Sequence, residues 1–152
     1  MLGLLSLLEP QYRWTSKNFF NYSGSFLPLT ASLTLQTTLG IASDTDFIAT
    51  FASAISTDAT NLILDAFIAQ LVQWSDTASG YNYFLAPTHA ELVYGSGGTP
   101  GVMAIPMILT RGTQLQVQHQ NLAAVNKNVY FSIFGFKSRP GTDTRNPDWQ
   151  RR

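Results

Sequence analysis

The segment from Thr113 to Asn121 reads TQLQVQHQN, in which apolar or aromatic side chains alternate with glutamines. A β-strand places successive side chains on opposite faces, so a period of two indicates a strand with one buried and one solvated face. Leu115, Val117 and His119 fall on the buried face. This pattern constrains the fold to one that contains a half-buried sheet.

A second segment, Lys127 to Lys137, also has a period of two but carries bulk on both faces. Val129, Phe131 and Ile133 share one face. Tyr130, Phe134 and Phe136 share the other with Ser132, so neither face is clearly polar. We therefore expect this strand to be central in its sheet or to lie under a partner.

The rest of the body offers further strand candidates bounded by turn-forming residues. They are Leu29–Thr38, Phe47–Ser56, Leu62–Trp74, Tyr81–Leu85, Ala90–Tyr94 and Val102–Leu109. The spacing in Leu62–Trp74 would also suit a helix, but a strand is favoured because turn-forming residues flank it. Pro106 lacks a backbone N–H group, so it is expected on a sheet edge or at a bulge.

About eight strands separated by turns predict an all-β domain built from two packed antiparallel sheets. Eight strands is also the number in a jelly roll, so the predicted fold is jelly-roll-like, with a closed barrel as the alternative. No internal repeat is present, which argues against propellers and solenoids. A chain of 152 residues fits one domain of this kind.

Three zones are predicted along the chain: an N-terminal arm at residues 1–28, a sandwich domain at 29–137 and a polar, basic tail at 138–152. The arm is too apolar for a disordered linker, so we expect it to fold against something. The candidate interface residues in the two end zones are Leu4, Leu5, Leu8, Tyr12, Trp14, Phe19, Phe20 and Trp149. The apolar run Leu2–Leu8 has no basic residue before it and is short for a signal peptide. No stretch approaches the roughly 20 apolar residues that span a bilayer, so neither export nor a membrane is predicted.

The composition favours a chain that associates with others. Only 12% of residues are charged, the formal net charge is zero and 45% of residues are hydrophobic. A neutral, weakly charged chain is prone to self-association, so a permanent partner or a homo-oligomer is expected. The absence of cysteine excludes disulfides, thiolate metal sites and thiol catalysis.

Lysine and arginine are absent between Asn18 and Thr110 and cluster toward the chain ends. The tail combines Trp149 with four arginines, which is the nearest approach in this chain to a nucleic-acid-binding surface. We favour the simpler interpretation of a tail kept solvated by its charges. No nucleic-acid partner is therefore predicted.

Catalytic and metal-binding patterns are sparse. His89, Glu91 and His119 could supply two imidazoles and a carboxylate for a cupin-like metal site, but the histidine clusters typical of cupins are missing. A loop position for His89 and a half-buried position for His119 are favoured instead. No GxSxG elbow occurs, and the aspartates are better explained as turn and strand-end residues. We predict no enzyme and no cofactor.

Aromatic residues around one turn suggest an alternative function. Trp74, Tyr81, Tyr83 and Phe84 lie close together in the sequence and could form a platform for a sugar, as in carbohydrate-binding modules with a jelly-roll fold. Aromatic residues at strand ends also cap cores or anchor interfaces. A receptor- or carbohydrate-binding module of a phage tail or fibre therefore stays open as the second hypothesis.

The segment from Tyr94 to Lys137 reads YGSGGTPGVMAIPMILTRGTQLQVQHQNLAAVNKNVYFSIFGFK. Its order is a glycine-containing turn, a proline, an apolar strand, an Arg-Gly turn, a strand ending in Asn-Leu and a final aromatic strand. In this pattern the chain resembles small β-sandwich structural proteins of tailed bacteriophages and prophages, with a weaker echo in DTDFIAT and FIAQLVQWSDTASGYNYF.

The resemblance implies a capsid decoration or cement protein, or a minor capsid protein, often trimeric. It implies contact with the major capsid protein or other virion proteins, and a location in the virion after synthesis in the host cytoplasm. The apolar arm and the basic tail are not part of the pattern. They leave open whether the chain sits on the capsid, in the connector or in the tail.

Overall fold

The computed structural model describes residues 19–60, 64–65, 69–96 and 99–138. Ten strands and one short helix lie in these ranges. The strands are β1 (Phe19–Leu29), β2 (Thr34–Gly40), β3 (Asp46–Asp58), β4 (Leu64–Asp65), β5 (Gln70–Asp76), β6 (Thr88–His89), β7 (Gly95–Ser96), β8 (Thr99–Leu109), β9 (Gln114–Asn121) and β10 (Lys127–Ser138). The helix α1 spans Ala90–Tyr94.

The strands form two antiparallel sheets. The larger sheet has the order β1-β10-β3-β8-β7, with β4 also paired to β3, and the smaller sheet has the order β2-β9-β5-β6. With the short strands β4 and β7 set aside, eight strands remain, and the first pairs with the last, the second with the seventh, the third with the sixth and the fourth with the fifth. This nested pairing is that of one long hairpin folded over on itself, as in a jelly roll. The predicted all-β, jelly-roll-like sandwich is confirmed.

One core lies between the two sheets. Inward side chains of the larger sheet include Phe47, Phe131 and Ile133, and those of the smaller sheet include Trp74 and Val117. The alternation predicted from TQLQVQHQN is confirmed, because β9 buries alternate residues from Leu115 to Asn121. Strand β10 lies between β1 and β3, so its predicted central position is also confirmed.

Strand β1 differs from the predicted zones. Residues 19–26 pair with β10, so this part of the predicted arm belongs to the sandwich, which was predicted to start at Leu29. Leu29 ends β1, a turn follows with Ser32 at φ 58°, and β2 begins only at Thr34. Residues 1–18 and 139–152, which hold the rest of the predicted arm and nearly all of the predicted tail, lie outside the described residues.

The region from residue 62 to residue 74 was predicted as one long strand, which is wrong. Leu64–Asp65 pairs with β3 in the larger sheet, whereas Gln70–Asp76 pairs with β9 in the smaller sheet. The chain therefore crosses from one sheet to the other within the predicted element. The strand assignment itself holds for Gln70 to Trp74.

Two other predicted strands are wrong. Ala90–Tyr94 is a helical turn, because Ala90, Val93 and Tyr94 are buried at a helical spacing while Leu92 points to solvent. Tyr81–Leu85 forms only an isolated bridge between Ser75 and Asn82. That segment folds back after a turn in which the Ser79 hydroxyl donates to Asp76 at 2.7 Å.

Strand β3 contains a bulge, after which the side chains that would have pointed inward point outward and the reverse. Phe134 pairs with Phe51 and the next residue, Gly135, pairs with Ala49, so Thr50 has no partner in the ladder. Across the other edge, Ala49 pairs with Met107 and Phe51 with Val102. Residues 103–106 of β8 are therefore outside the regular ladder, which confirms the predicted position of Pro106 at a bulge.

Candidate functional site

The outer face of the larger sheet carries a row of three serines. The register places Ser23 of β1 opposite Ser132 of β10, and Ser132 opposite Ser53 of β3. The Ser23 and Ser132 hydroxyl oxygens are 2.7 Å apart, so one donates to the other. Because these side chains are short, the row forms the floor of a depression across three strands, which we call the serine groove.

A cluster of aromatic side chains, which we call the aromatic wall, stands beside the serine groove, and its member Phe134 lines the groove. The rings of Phe51 and Phe134 are stacked, with centroids 4.7 Å apart and planes 10° apart. Phe19 stacks on Phe134 at 6.1 Å and meets the edge of Phe136 at 5.6 Å. Strand pairing places these four side chains on the outer face, next to the serine row on the side toward the start of β1.

The opposite wall is formed by Ile55 and Tyr130, which are cross-strand neighbours on β3 and β10. Ile55 is 52% exposed and Tyr130 is 40% exposed. The groove between the two walls has a volume of about 440 Å³ and is lined by residues of β1, β10 and β3. Its size suits one or two apolar side chains of a docking segment and is small for a whole folded domain.

The outer face around the groove has no charged side chain. This holds for the outward positions within the described ranges Phe19 to Ser25 of β1, Ile48 to Thr57 of β3 and Tyr130 to Phe136 of β10. Val102 and Ile108 extend the apolar surface onto β8, and both are exposed. Contiguous exposed apolar surface on a sheet marks an interaction site in soluble proteins. The arrangement has the chemistry of a binding surface, with serine hydroxyls on its floor and apolar and aromatic side chains beside them.

Two of the predicted interface residues are described, and the structure separates them. Phe19 points to the outer face and belongs to the aromatic wall, with 47% of its surface exposed. Phe20 points to the opposite side of β1, where the Lys137 ammonium lies 4.0 Å from its ring centroid and Tyr22 meets it edge-on. The other six predicted residues, Leu4, Leu5, Leu8, Tyr12, Trp14 and Trp149, lie outside the described residues.

The predicted sugar platform does not assemble as expected. Trp74 is fully buried in the core and packs against Phe84 and Tyr94. Tyr81 is exposed and meets Tyr83 edge-on at 5.3 Å, so this pair offers an accessible aromatic surface at the turn. The indole of Trp74 is therefore a core element and not a binding surface.

The three residues considered for a metal site are separated. His119 lies in the core with Nε2 2.9 Å from the Tyr94 hydroxyl oxygen, whereas His89 and Glu91 are exposed. Within the described ranges no group of three His, Cys, Asp or Glu side chains converges as metal ligands would. The half-buried position predicted for His119 is wrong, because this side chain is completely buried.

A buried hydrogen-bond network links His119 of β9 to Tyr94 of α1 and Trp74 of β5. The Trp74 indole N–H donates to the Tyr94 hydroxyl oxygen at 3.4 Å, and that hydroxyl lies beside His119 Nε2. His119 Nδ1 has no hydrogen-bond partner among the residues the structure describes. Burial lowers the pKa of His119 to about 3, so the ring is neutral near pH 7. Burial also raises the pKa of the Tyr94 hydroxyl.

Sequence reasoning did not find the serine groove. The alternation of Tyr130, Ser132 and Phe134 was visible, and it led to the expectation of a partner over this strand. The alignment of Ser132 with Ser23 and Ser53 depends on strand register, which the sequence of one strand does not contain. The site became visible only when three distant segments were paired.

No model of a known protein family matches this chain, and no curated protein matches it. Among solved structures, the chain is similar to dimeric latent PorU from Porphyromonas gingivalis, with 11% sequence identity and a TM-score of 0.39. The match covers 80% of this chain and 13% of that chain, so this chain spans only a small part of the PorU structure. A likeness this distant carries no argument about function. No helix in the described ranges is both long and apolar enough to span a bilayer.

Proposed function

We propose that this chain is a structural protein of a virus particle, a capsid decoration or cement protein or a minor capsid protein of a tailed bacteriophage. The observation that carries the proposal is a part of the outer face of the larger sheet that has no charged side chain, Ile48 to Thr57 of β3 with the residues of β10 and β1 beside it. There the apolar and aromatic side chains Phe19, Phe51, Ile55 and Tyr130 are partly or largely accessible. A sandwich that needed only its own core would keep both outer faces polar. Such a face favours a subunit that works by contact with neighbours.

The class of assembly is inferred from the sequence pattern of Tyr94 to Lys137 together with the fold. That pattern resembles phage structural proteins, and jelly rolls are common in viral capsid proteins, although lectins and cupins share the architecture. Fold alone does not decide function, so the pattern and the face are the supporting observations. In this proposal the partners are the major capsid protein or other virion proteins, and copies of the chain form a homo-oligomer, with a trimer favoured.

The proposal is tested on particles produced by the cells that encode this chain. Particles are purified by density gradient, and the copy number of the chain is measured by quantitative mass spectrometry against the major capsid protein. We expect a fixed stoichiometry that survives repeated purification. Recovery of the chain only in the particle-free fraction would contradict the proposal.

A carbohydrate- or receptor-binding module is the second candidate, supported by the exposed Tyr81 and its edge contact with Tyr83. This candidate predicts binding of the isolated chain to a glycan array, and loss of that binding in Tyr81→Ala with the fold retained. Trp74→Ala is not a useful probe because it removes a core side chain. Absence of glycan binding by the unmodified chain would leave the assembly proposal as the better account.

A further inference from the structure

The chain enters the sandwich at the aromatic wall of the serine groove. Phe19 is the first residue of β1, and its ring lies against Phe134 and Phe136 on the outer face. The sequence before Phe19 is therefore joined to the chain at a strand of the larger sheet, next to the aromatic wall. Ser23, on the groove floor, is four positions further along the same strand.

The N-terminal segment can reach the groove. Four strand positions correspond to roughly 13 Å at about 3.3 Å per residue. Eighteen residues span at most about 60 Å when extended, so the segment can return to the groove of its own chain or cross to a neighbouring one. Its first part, Leu2–Leu8, reads LGLLSLL and has no charged residue.

The chemistry of the two surfaces matches. The groove floor is three serines, which leave room for longer side chains. Phe134, stacked on Phe51, lines the groove on one side, and Ile55 and Tyr130 line it on the other. Leucine side chains bury apolar area against such walls and leave no unpaired charge. The C-terminal tail also starts at this end of the sheet, after Ser138, but its four arginines would lose hydration on an uncharged face.

We propose that the leucine-rich segment, residues 2–8, docks in the serine groove and covers the outer face of the larger sheet. This inference rests on the proposed function, which treats this face as an interface. It deepens that function by naming the segment that binds there. The segment acts as a ligand of the sandwich, either within one chain or between neighbouring copies.

Disulfide trapping tests this docking directly, because the chain contains no cysteine of its own. Ser6→Cys and Ser132→Cys place one thiol in the leucine-rich segment and one on the groove floor, and both changes are nearly isosteric. A disulfide forms only if the Cα atoms come within about 7 Å. We expect rapid oxidation in the full-length double variant, seen as a changed mobility on non-reducing gels that reductant reverses. A monomer-sized product places the segment in its own groove, and a dimer-sized product places it in that of a neighbour.

The matched control is Ser6→Cys with Ser75→Cys. Ser75 is also a half-buried serine on an outer face, but it lies on the smaller sheet. Docking in the groove predicts that the Ser132 pair oxidises about tenfold faster or more than the Ser75 pair, as expected from a raised effective concentration. Equal rates for the two pairs would overturn the inference.

Two further variants distinguish the alternatives. Leu4→Asp with Leu8→Asp, added to the Ser6 and Ser132 cysteines, should reduce oxidation to the rate of the Ser75 control. An unchanged rate would overturn docking by the leucines. The single variant Ser132→Cys tests whether the sheet of a second copy occupies the groove. If it forms a disulfide dimer faster than the double variant oxidises, docking of residues 2–8 is overturned. Neither failure would affect the copy number in purified particles, so the proposed function is tested separately.

Discussion

The outward side chains of the smaller sheet are mainly threonine, glutamine and serine. Those of the larger sheet are phenylalanine, isoleucine and tyrosine interspersed with small polar side chains. On the smaller sheet, the Gln118 amide donates to Gln116 at 3.2 Å and to Gln36 at 3.4 Å, so the outward side chains bind one another and water. On the larger sheet, stacked rings stand beside a serine floor. The inner faces of both sheets contribute to the same core.

The sheets also differ in regularity. The pairs β2–β9 and β5–β9 run without a shift in register. The pairs β1–β10, β10–β3 and β3–β8 of the larger sheet each contain an irregularity. A bulge twists a strand and re-aims its side chains, so the irregular sheet is also the one with a shaped surface. The difference teaches that both sheets close the core, while only the larger sheet combines an irregular ladder with a shaped, partly apolar outer face.

The largest expected loss of stability is at Gly135 of β10, which lies opposite the bulge of β3. A methyl group on Gly135 would collide with the backbone of Ile48 and Ala49, which cannot move without breaking the ladder between β10 and β3. We expect Gly135→Ala to lower the free energy of unfolding by at least ~3 kcal/mol, at or above the usual range for overpacking. Chemical denaturation followed by circular dichroism measures this change.

Gly40→Ala is the matched control on the regular sheet. Gly40 lies in β2, and a methyl group there meets no atom of the molecule within 4 Å. We expect a change within about 0.5 kcal/mol, typical of an exposed surface position. Similar effects of the two substitutions would mean that the bulge imposes no special constraint on the larger sheet.

The next effect concerns the inner face of the smaller sheet, where His119 is buried. Its pKa in the folded state is about 3, below the ordinary value of 6.5, so below pH 6.5 the unfolded chain takes up a proton that the folded chain does not. This contribution to stability is complete above pH 6.5 and is lost progressively as the pH falls toward 3. From pH 7 to pH 4 we expect His119 to account for a loss of about 3 kcal/mol.

Urea denaturation at pH 7 and pH 4 measures that loss. In His119→Gln the pH-dependent part should shrink, since glutamine can still accept from the Tyr94 hydroxyl but does not titrate. His89→Gln is the control, because it makes the same substitution at an exposed position outside the core. If His119→Gln keeps the full pH dependence of the parent chain, other groups govern acid stability.

The features of the fold that follow from side-chain periodicity and composition were predictable from the sequence. The alternation around Val117 located β9 and its buried face, and bulk on both faces located β10 in the centre of its sheet. Prediction failed where tertiary contacts override a local pattern. Strict alternation from Phe47 would place Phe51 on the inner face, but the bulge at Thr50 turns it outward. Tyr94 enters the core from a single helical turn that has too few residues to show a helical period.

The candidate site was predictable only in part. Phe19, one of the predicted interface residues, lies in the aromatic wall, and the alternation of Tyr130, Ser132 and Phe134 is visible in the sequence of β10. The predicted partner over this strand stays a prediction. The serine row and its aromatic wall require the register of β1 and β3 against β10, which arises from pairing across more than eighty residues. Phe20 lies outside this site because neighbouring residues of a strand point to opposite faces, and its predicted interface role stays a prediction.

The smallest effect tests the contrast between the two outer faces in solution. Ile55 on the larger sheet and Thr38 on the smaller sheet are both exposed outward positions. A lysine at Ile55 would place an unpaired charge at an apolar contact, so Ile55→Lys should weaken association between copies about tenfold, or ~1.4 kcal/mol. Thr38→Lys should leave association unchanged because its surroundings are already hydrated. Sedimentation velocity across a concentration series measures both. Weakening by Thr38→Lys alone would assign the contact to the Gln-rich face, and the apolar face would then need another explanation.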